Sequence, residues 1–182
     1  QFSVSGTTNF TFSAVGSTVR STPAIFAWTG ATINQIEPDP GNDGIAFVGY
    51  KVTNPSTGVW HYEYAIYNEN LDRAIQSFAV PTGRRIRNTG FHAPPQEWAN
   101  DGTVGNTGYS STPWTSVVTD GSLTWNCETL AQNPNANAIR WGTLYNFRFD
   151  SNRPPQDALA VIGFFKTGVP ITVPIQAPQR RP

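Results

Sequence analysis

The chain has 182 residues, with twelve basic and twelve acidic side chains and a formal net charge of zero. That length suits one domain with one sizeable core, and the balanced charge excludes a protein steered by its global field to nucleic acid or an anionic membrane. Sixteen Gly, fifteen Pro, 13% charged and 13% aromatic residues exclude a helical fold, which would need more of the residues that lose least entropy in a helix, and favour strands.

In chain order, "QFSVSGTTNFTFSAV" alternates Phe2 and Val4, then Phe10, Phe12 and Ala14, an amphipathic strand pattern. Strands are expected over 8–20 and 23–29. "EPDPGNDG" (37–44) places Glu37, Asp39, Asn42 and Asp43 in a turn-rich loop. Hard oxygen ligands are what calcium needs, but the spacing is not that of an EF-hand. Asp, Asn, Gly and Pro also suit a turn for backbone reasons alone, so a turn is the plainer reading. Strands at 44–53 and 58–68 flank "NPSTG", where Pro55 fixes one dihedral and Gly58 supplies positive φ for a hairpin.

Within 58–68, Trp60, Tyr62, Tyr64 and Ile66 share one parity and His61, Glu63, Ala65 and Tyr67 the other. The aromatic parity faces the core and His61 lies on the polar side. "NENLD" (68–72) is expected to close a second hairpin onto 72–80, giving a three-strand meander. The next strand, 84–92, opens with "GRRIRN". Arg85 and Arg87 share a face with Ile86 pointing inward, and with Arg84 they read as a charged edge that resists wrong strand pairing, with anion or polysaccharide contact as the alternative.

"APPQEWANDGTVGNTGYSSTPW" (93–114) is a long polar excursion, the kind of loop that is functional or packed upon itself. Pro95 suits a short helical turn at 95–99. Trp98, Tyr109 and Trp114 either plug this loop onto the domain or offer rings for stacking on sugars, and are the glycan-contact candidates. Strands at 115–119 and 122–127 are joined by the tight turn signal "DG" (120–121). Cys127, the only cysteine, cannot form an internal disulfide and reads as a small buried hydrophobe. Strands at 136–140, 142–150 and 157–166 follow. In "GVPITVPIQAPQRRP" (168–182), Pro170, Pro174 and Pro178 bar a central strand and are expected to make an extended arm lying on a neighbour, presenting Ile171, Val173 and Ile175.

Sites for chemistry are sparse. His61, Glu63 and His92 with further carboxylates would be needed for zinc, and Glu63 with Glu97 or Asp101 for a glycosidase acid pair, yet nothing in the sequence pairs them. There is no G-x-S-x-G and no phosphate loop. Asn9 in "NFT" is the one N-x-Ser/Thr match. No transmembrane helix is expected, because no apolar run reaches about 18 residues. The chain opens on Gln1 and holds no Met, so a processed chain is expected, with removal of a secretory signal as one explanation.

"GSTVRSTPAIFAW", "GVWHYEYAIYNENLDRAIQSFAVP", "NTGFH" and "NPNANAIRWGTLYNFRFDSNRPP" resemble the C-terminal β-rich region of large secreted proteins of unknown function from environmental bacteria. The resemblance runs roughly from residue 15 to 168 and implies secretion and a β-fold, with no activity attached. Where similar sequences carry acidic and His residues after "GFH", this chain has "APPQEW", which weighs against a metal role for His92.

The expectation is a single all-β domain over 1–182, a two-sheet antiparallel β-sandwich of jelly-roll or immunoglobulin-like type. Residues 1–19 and 169–182 are its candidate subunit-linking arms. The expected role is a structural subunit of an extracellular or cell-surface homopolymer joined by β-strand addition or arm exchange, with Phe2, Val4, Phe10, Phe12, Ile171, Val173 and Ile175 at the joint. The alternative is a glycan-binding or adhesive module of a larger secreted protein. Neither reading involves catalysis, a cofactor, nucleic acid or membrane insertion; the partners are further copies of the chain and, secondarily, polysaccharide.

Overall fold

The computed structural model describes residues 2–17, 19–83, 85–95, 108–119 and 121–179. Its strands are β1 (Phe2–Ser5), β2 (Thr11–Ala14), β3 (Thr32–Ile36), β4 (Ala46–Ser56), β5 (Val59–Asn68), β6 (Ile75–Pro81), β7 (Ile86–His92), β8 (Thr115–Thr119), β9 (Ser122–Asn126), β10 (Leu144–Ser151), β11 (Pro155–Phe164) and β12 (Ile171–Pro178). One five-stranded sheet runs β3-β4-β5-β10-β7 and a second runs β12-β11-β6-β9-β8, while β1 and β2 pair only with each other as a separate hairpin. Every neighbouring pair is antiparallel. This is the two-sheet sandwich that the alternating pattern calls for.

The core lies between the sheets and is aromatic. Tyr62, Tyr64 and Ile66 of β5 and Tyr145, Phe147 and Phe149 of β10 are fully buried, as period-two strands with one face inward require. They meet Phe78 and Trp125 of the second sheet: Phe147 lies 5.1 Å from Phe78 and 5.3 Å from Trp125, centroid to centroid. The tyrosine hydroxyls find backbone acceptors at the margins, Tyr62 donating to the Arg153 carbonyl and Tyr64 to that of Gln176, so neither leaves a stranded polar atom.

Four sequence expectations about the sandwich need correction. Residues 24–27 form a 3-10 turn, not a strand. The turn lies on the outer face of the first sheet, where Ile25, Phe47 and Ala65 make a second, small core. Gly49 permits this approach: a Cβ there would stand 3.3 Å from Ile25 Cδ1 and 3.4 Å from the Trp28 ring. Residues 136–140 contribute only one bridge, Ile75 to Ile139, within a run of turns.

The meander also fails. The 44–53/58–68 hairpin forms, with Tyr50 opposite Tyr64, but the chain then crosses to the other sheet and β10 takes the free side of β5. The corner is made by buried Asn68, which donates to the Leu71 and Ile139 carbonyls and accepts from the Leu71 amide. Alternation records which face is buried, not which strand comes alongside, and so it missed the crossover.

The fourth correction concerns the C-terminal segment. Residues 171–178 are not an arm awaiting a neighbour: they form β12, paired along its length with β11, with Val173, Ile175 and Ala177 buried in the domain's own core. Proline is tolerated on an outermost strand, where its missing donor faces away from the ladder, and β12 is outermost. The Tyr64 hydroxyl and the Asn34 side-chain amide, the latter donating to the Pro174 carbonyl at 2.8 Å, tie it down from the opposite sheet.

Candidate functional site

The N-terminal candidates remain outside the sandwich. Instead of one strand over 8–20, the chain forms a two-stranded ribbon in which Phe2 pairs with Ala14 and Val4 with Phe12. Opposite residues in such a ladder project to the same side, so Val4 and Phe12 share a face and Ser3, Ser5, Thr11 and Ser13 the other. Every residue from 3 to 17 is exposed; Val4, Phe10 and Phe12 are 55%, 60% and 67% accessible. No charged residue occurs before Arg20. An isolated two-stranded ribbon is at best marginally stable in water, and this one presents its apolar face to solvent. Residues 15–22, with positive φ at Gly16 and Ser21, connect it to the 3-10 turn and can span at most roughly 27 Å.

A second surface complements it. β8 is the outermost strand of the second sheet among the described residues, and all five of its residues, "TSVVT", are exposed and uncharged. Val117 and Val118 are about half accessible. Lysines, prolines or inward charges usually protect such an edge; β8 has none, whereas β7, the edge of the first sheet, is flanked by exposed Arg85 and carries exposed Arg87. Ile86 packs against the core as expected, and Arg84 lies outside the described residues.

The other candidates find structural explanations. In the acidic loop, Arg73 donates from Nε to Asp43 at 2.5 Å and from Nη2 to Asp39 at 2.9 Å. Asp43 also accepts from the amides of Gly44 and Asp72, and Asn42 donates to Asp39. A guanidinium thus sits where the calcium reading would put a cation, and Glu37 is exposed. For Asp39 the hydrogen bonds from Asn42 and Arg73 lower the carboxyl pKa. For Asp43 burial works in the opposite direction but is outweighed by Arg73 and the backbone donors, so its pKa also falls.

His61 lies on the outer face of β5, as its parity requires, and donates from Nδ1 to Asp150 directly across on β10 at 2.6 Å, with Glu63 3.8 Å from Nε2. Asn88 donates to the other Asp150 oxygen. Burial opposes ionisation of Asp150, yet the bonds from Asn88 and His61 prevail and its pKa is lowered. His92 pairs with Asn146, four residues along β10 from Asp150, so the two histidines are about 13 Å apart along the strand direction alone. Among the described residues no three His, Cys, Asp or Glu side chains are grouped to hold a metal. Glu97 and Asp101 lie outside the described residues. Burial pushes the Cys127 thiol up to about 12, which leaves it without thiolate at neutral pH.

The glycan candidates divide three ways. Trp98 lies outside the described residues. Trp114 is in the core, stacked 5.8 Å from Phe91 and donating to the Asn137 carbonyl, so it is not a platform: an indole beside an aromatic sheet gains more by burial than by exposure. Tyr109 is half-buried and lies under the Arg140 guanidinium at 3.8 Å. Next to it stands a residue that sequence reasoning passed over, Trp141, 62% accessible. The signal was present: the expected strands 136–140 and 142–150 left Trp141 alone between them, followed by a glycine.

Compared with known proteins, the chain matches no family model, no curated protein and no solved structure. Among the described residues no helix is long and apolar enough to cross a membrane.

Proposed function

We propose that the protein is a structural subunit of an extracellular homopolymer, a filament, in which the N-terminal ribbon of one copy docks on another. The observation that carries this reading is the ribbon itself: a charge-free hairpin whose Val4, Phe10 and Phe12 side chains lie in solvent although the body of the domain is well packed. Burial of each phenylalanine in a neighbour would contribute about 1.5–3 kcal/mol, enough to order a hairpin that is marginal alone. The exposed, uncharged β8 edge supplies a receptor of matching chemistry: strand addition gives backbone hydrogen bonds, and alternate side chains give register. Donor and receptor are different parts of one chain, so the contact is head-to-tail and, where successive rotations do not close a ring, propagates into an open chain of subunits. The extracellular setting rests on the resemblance to secreted proteins.

The test is removal of residues 1–14, with assembly followed by sedimentation and negative-stain imaging. The full chain should polymerise, and the truncated chain should remain a folded monomer, lighter than the 19.9 kDa full chain by its fourteen missing residues. Polymers formed equally well without the ribbon, or a full chain that stays monomeric at high concentration, would refute the reading.

A further inference from the structure

We infer that the surface around Trp141 is a binding subsite for a neutral pyranose ring of an oligosaccharide. The argument starts from the turn that carries it. Thr143 donates to the Arg140 carbonyl from both its amide and its hydroxyl, and Gly142 takes a positive φ of 71°, which favours glycine. The Gly142 amide donates to the Asn68 carbonyl at 2.8 Å, and the Asn68 side chain anchors the same region from inside by donating to the Ile139 carbonyl. An exposed tryptophan is thus mounted on a turn bonded to the core corner on both sides of its own position. Its presentation costs little further ordering when a ligand arrives.

Around it lies a shallow cavity of about 340 Å³ lined by Leu71, Asp72, Tyr109, Arg140, Trp141 and Lys166. That is the small end of ligand-binding clefts. Leu71 provides an apolar floor. Arg140 is fixed by donating to the Pro134 and Ala136 carbonyls and by lying over the Tyr109 and Phe165 rings. Asp72 accepts from Lys166 with both carboxylate oxygens at 2.9 Å, and both side chains remain substantially exposed. An apolar ring face thus stands beside a charged donor and a charged acceptor that already satisfy each other.

That combination selects the ligand class. A nucleotide or sulfated glycan would need cationic donors free to meet its anionic groups, yet Lys166 is neutralised by Asp72 and the Arg140 guanidinium is taken up by the Pro134 and Ala136 carbonyls and the Tyr109 and Phe165 rings. A wholly apolar ligand would need enclosure that an open cleft does not give. A pyranose presents an axial C–H face for the indole and equatorial hydroxyls that both accept from Lys166 and donate to Asp72. The site lies on the sandwich body and does not involve the ribbon, so it stands independently of the assembly reading.

The test is isothermal titration and tryptophan fluorescence of the full chain with cellohexaose, maltohexaose, xylohexaose and hexa-N-acetylchitohexaose. At least one should bind with millimolar or tighter affinity. Trp141→Ala should then weaken it at least tenfold, and Asp72→Asn by a few-fold, with the melting temperature of each variant unchanged within a few degrees. No binding of any of the four by the full chain, or equal binding by Trp141→Ala, overturns the inference. If Trp141→Ala misfolds, equal binding by Asp72→Asn and by Lys166→Ala overturns it instead.

Discussion

The two ends of the chain look alike as sequence and differ completely as structure. Each is extended and alternates apolar with small or polar residues, Phe2, Val4, Phe10 and Phe12 at one end and Ile171, Val173 and Ile175 at the other. Yet Val173 and Ile175 are buried in their own sandwich while Val4, Phe10 and Phe12 stand in solvent. The difference lies in what each segment finds beside it. β12 has the full length of β11 to pair with and a core that it closes; the ribbon has only its own second strand. An amphipathic strand pattern states that a face needs covering. The rest of the fold decides whether the cover is internal.

Removing the two ends should therefore have opposite consequences, and the larger effect lies at the C terminus. A chain ending at Pro170 loses the burial of Val173, Ile175 and Ala177 and leaves β11 unpaired along one side. With about 1.5–3 kcal/mol at stake for each large side chain, against a net stability of roughly 5–15 kcal/mol for a domain, it should show no cooperative melting by circular dichroism. A cooperative transition near that of the full chain would erase the distinction between strand and arm. Next, equal truncations of phenylalanine should diverge. Phe147→Ala, inside the cluster with Phe78, Phe91, Trp114 and Trp125, should cost about 3–5 kcal/mol in urea unfolding. Phe12→Ala should change stability by less than about 0.5 kcal/mol while reducing polymer yield.

A third effect is electrostatic and belongs to the body alone. Asp39, Asp43 and Asp150 all have lowered pKa values in the folded state. The folded chain therefore holds these carboxylates charged where the unfolded chain would take up protons. The stability they contribute is complete above the ordinary carboxylate pKa of about 4 and is lost as pH falls through the depressed values. The melting temperature should be level between about pH 8 and 5 and decline below about pH 4. Arg73→Gln should flatten the part of that decline due to Asp39 and Asp43; an unchanged decline would remove Arg73 from the account. Smallest of all should be the thermal effect of deleting residues 1–14. Because every described side chain of the ribbon, from residue 3 to residue 14, is exposed, the monomer's melting temperature should hold within a few degrees, and a large drop would place the ribbon on its own domain after all.

Much of the body was legible. Strands 115–119, 122–127, 142–150 and 157–166 lie within a few residues of β8 to β11 because alternation and turn chemistry are local signals. The core parity of Tyr62, Tyr64 and Ile66 followed from the same pattern. The errors were failures of context. Proline spacing correctly argued against a central strand, but an outermost strand satisfies the same rule. "NENLD" turned the chain as expected, but into the other sheet. Trp114 and Trp141 are the same residue type in polar surroundings, and one is core and the other surface. The neighbours Phe91, Tyr145 and Phe147, distant in sequence, separate them.

The position of β10 carries a consequence for how the protein is made. β10 lies between β5 and β7, so the first sheet stays split until a segment from the far half of the chain is threaded between strands that were synthesised much earlier. Closing loops of that length is entropically costly before any contact rewards it, and folds dominated by such pairings form in milliseconds to seconds instead of microseconds. Throughout that interval one edge of β5 has no ladder partner. The newly made chain is at its stickiest before the sandwich closes, so a chaperone that delays encounter between copies should raise the yield of correctly folded chains.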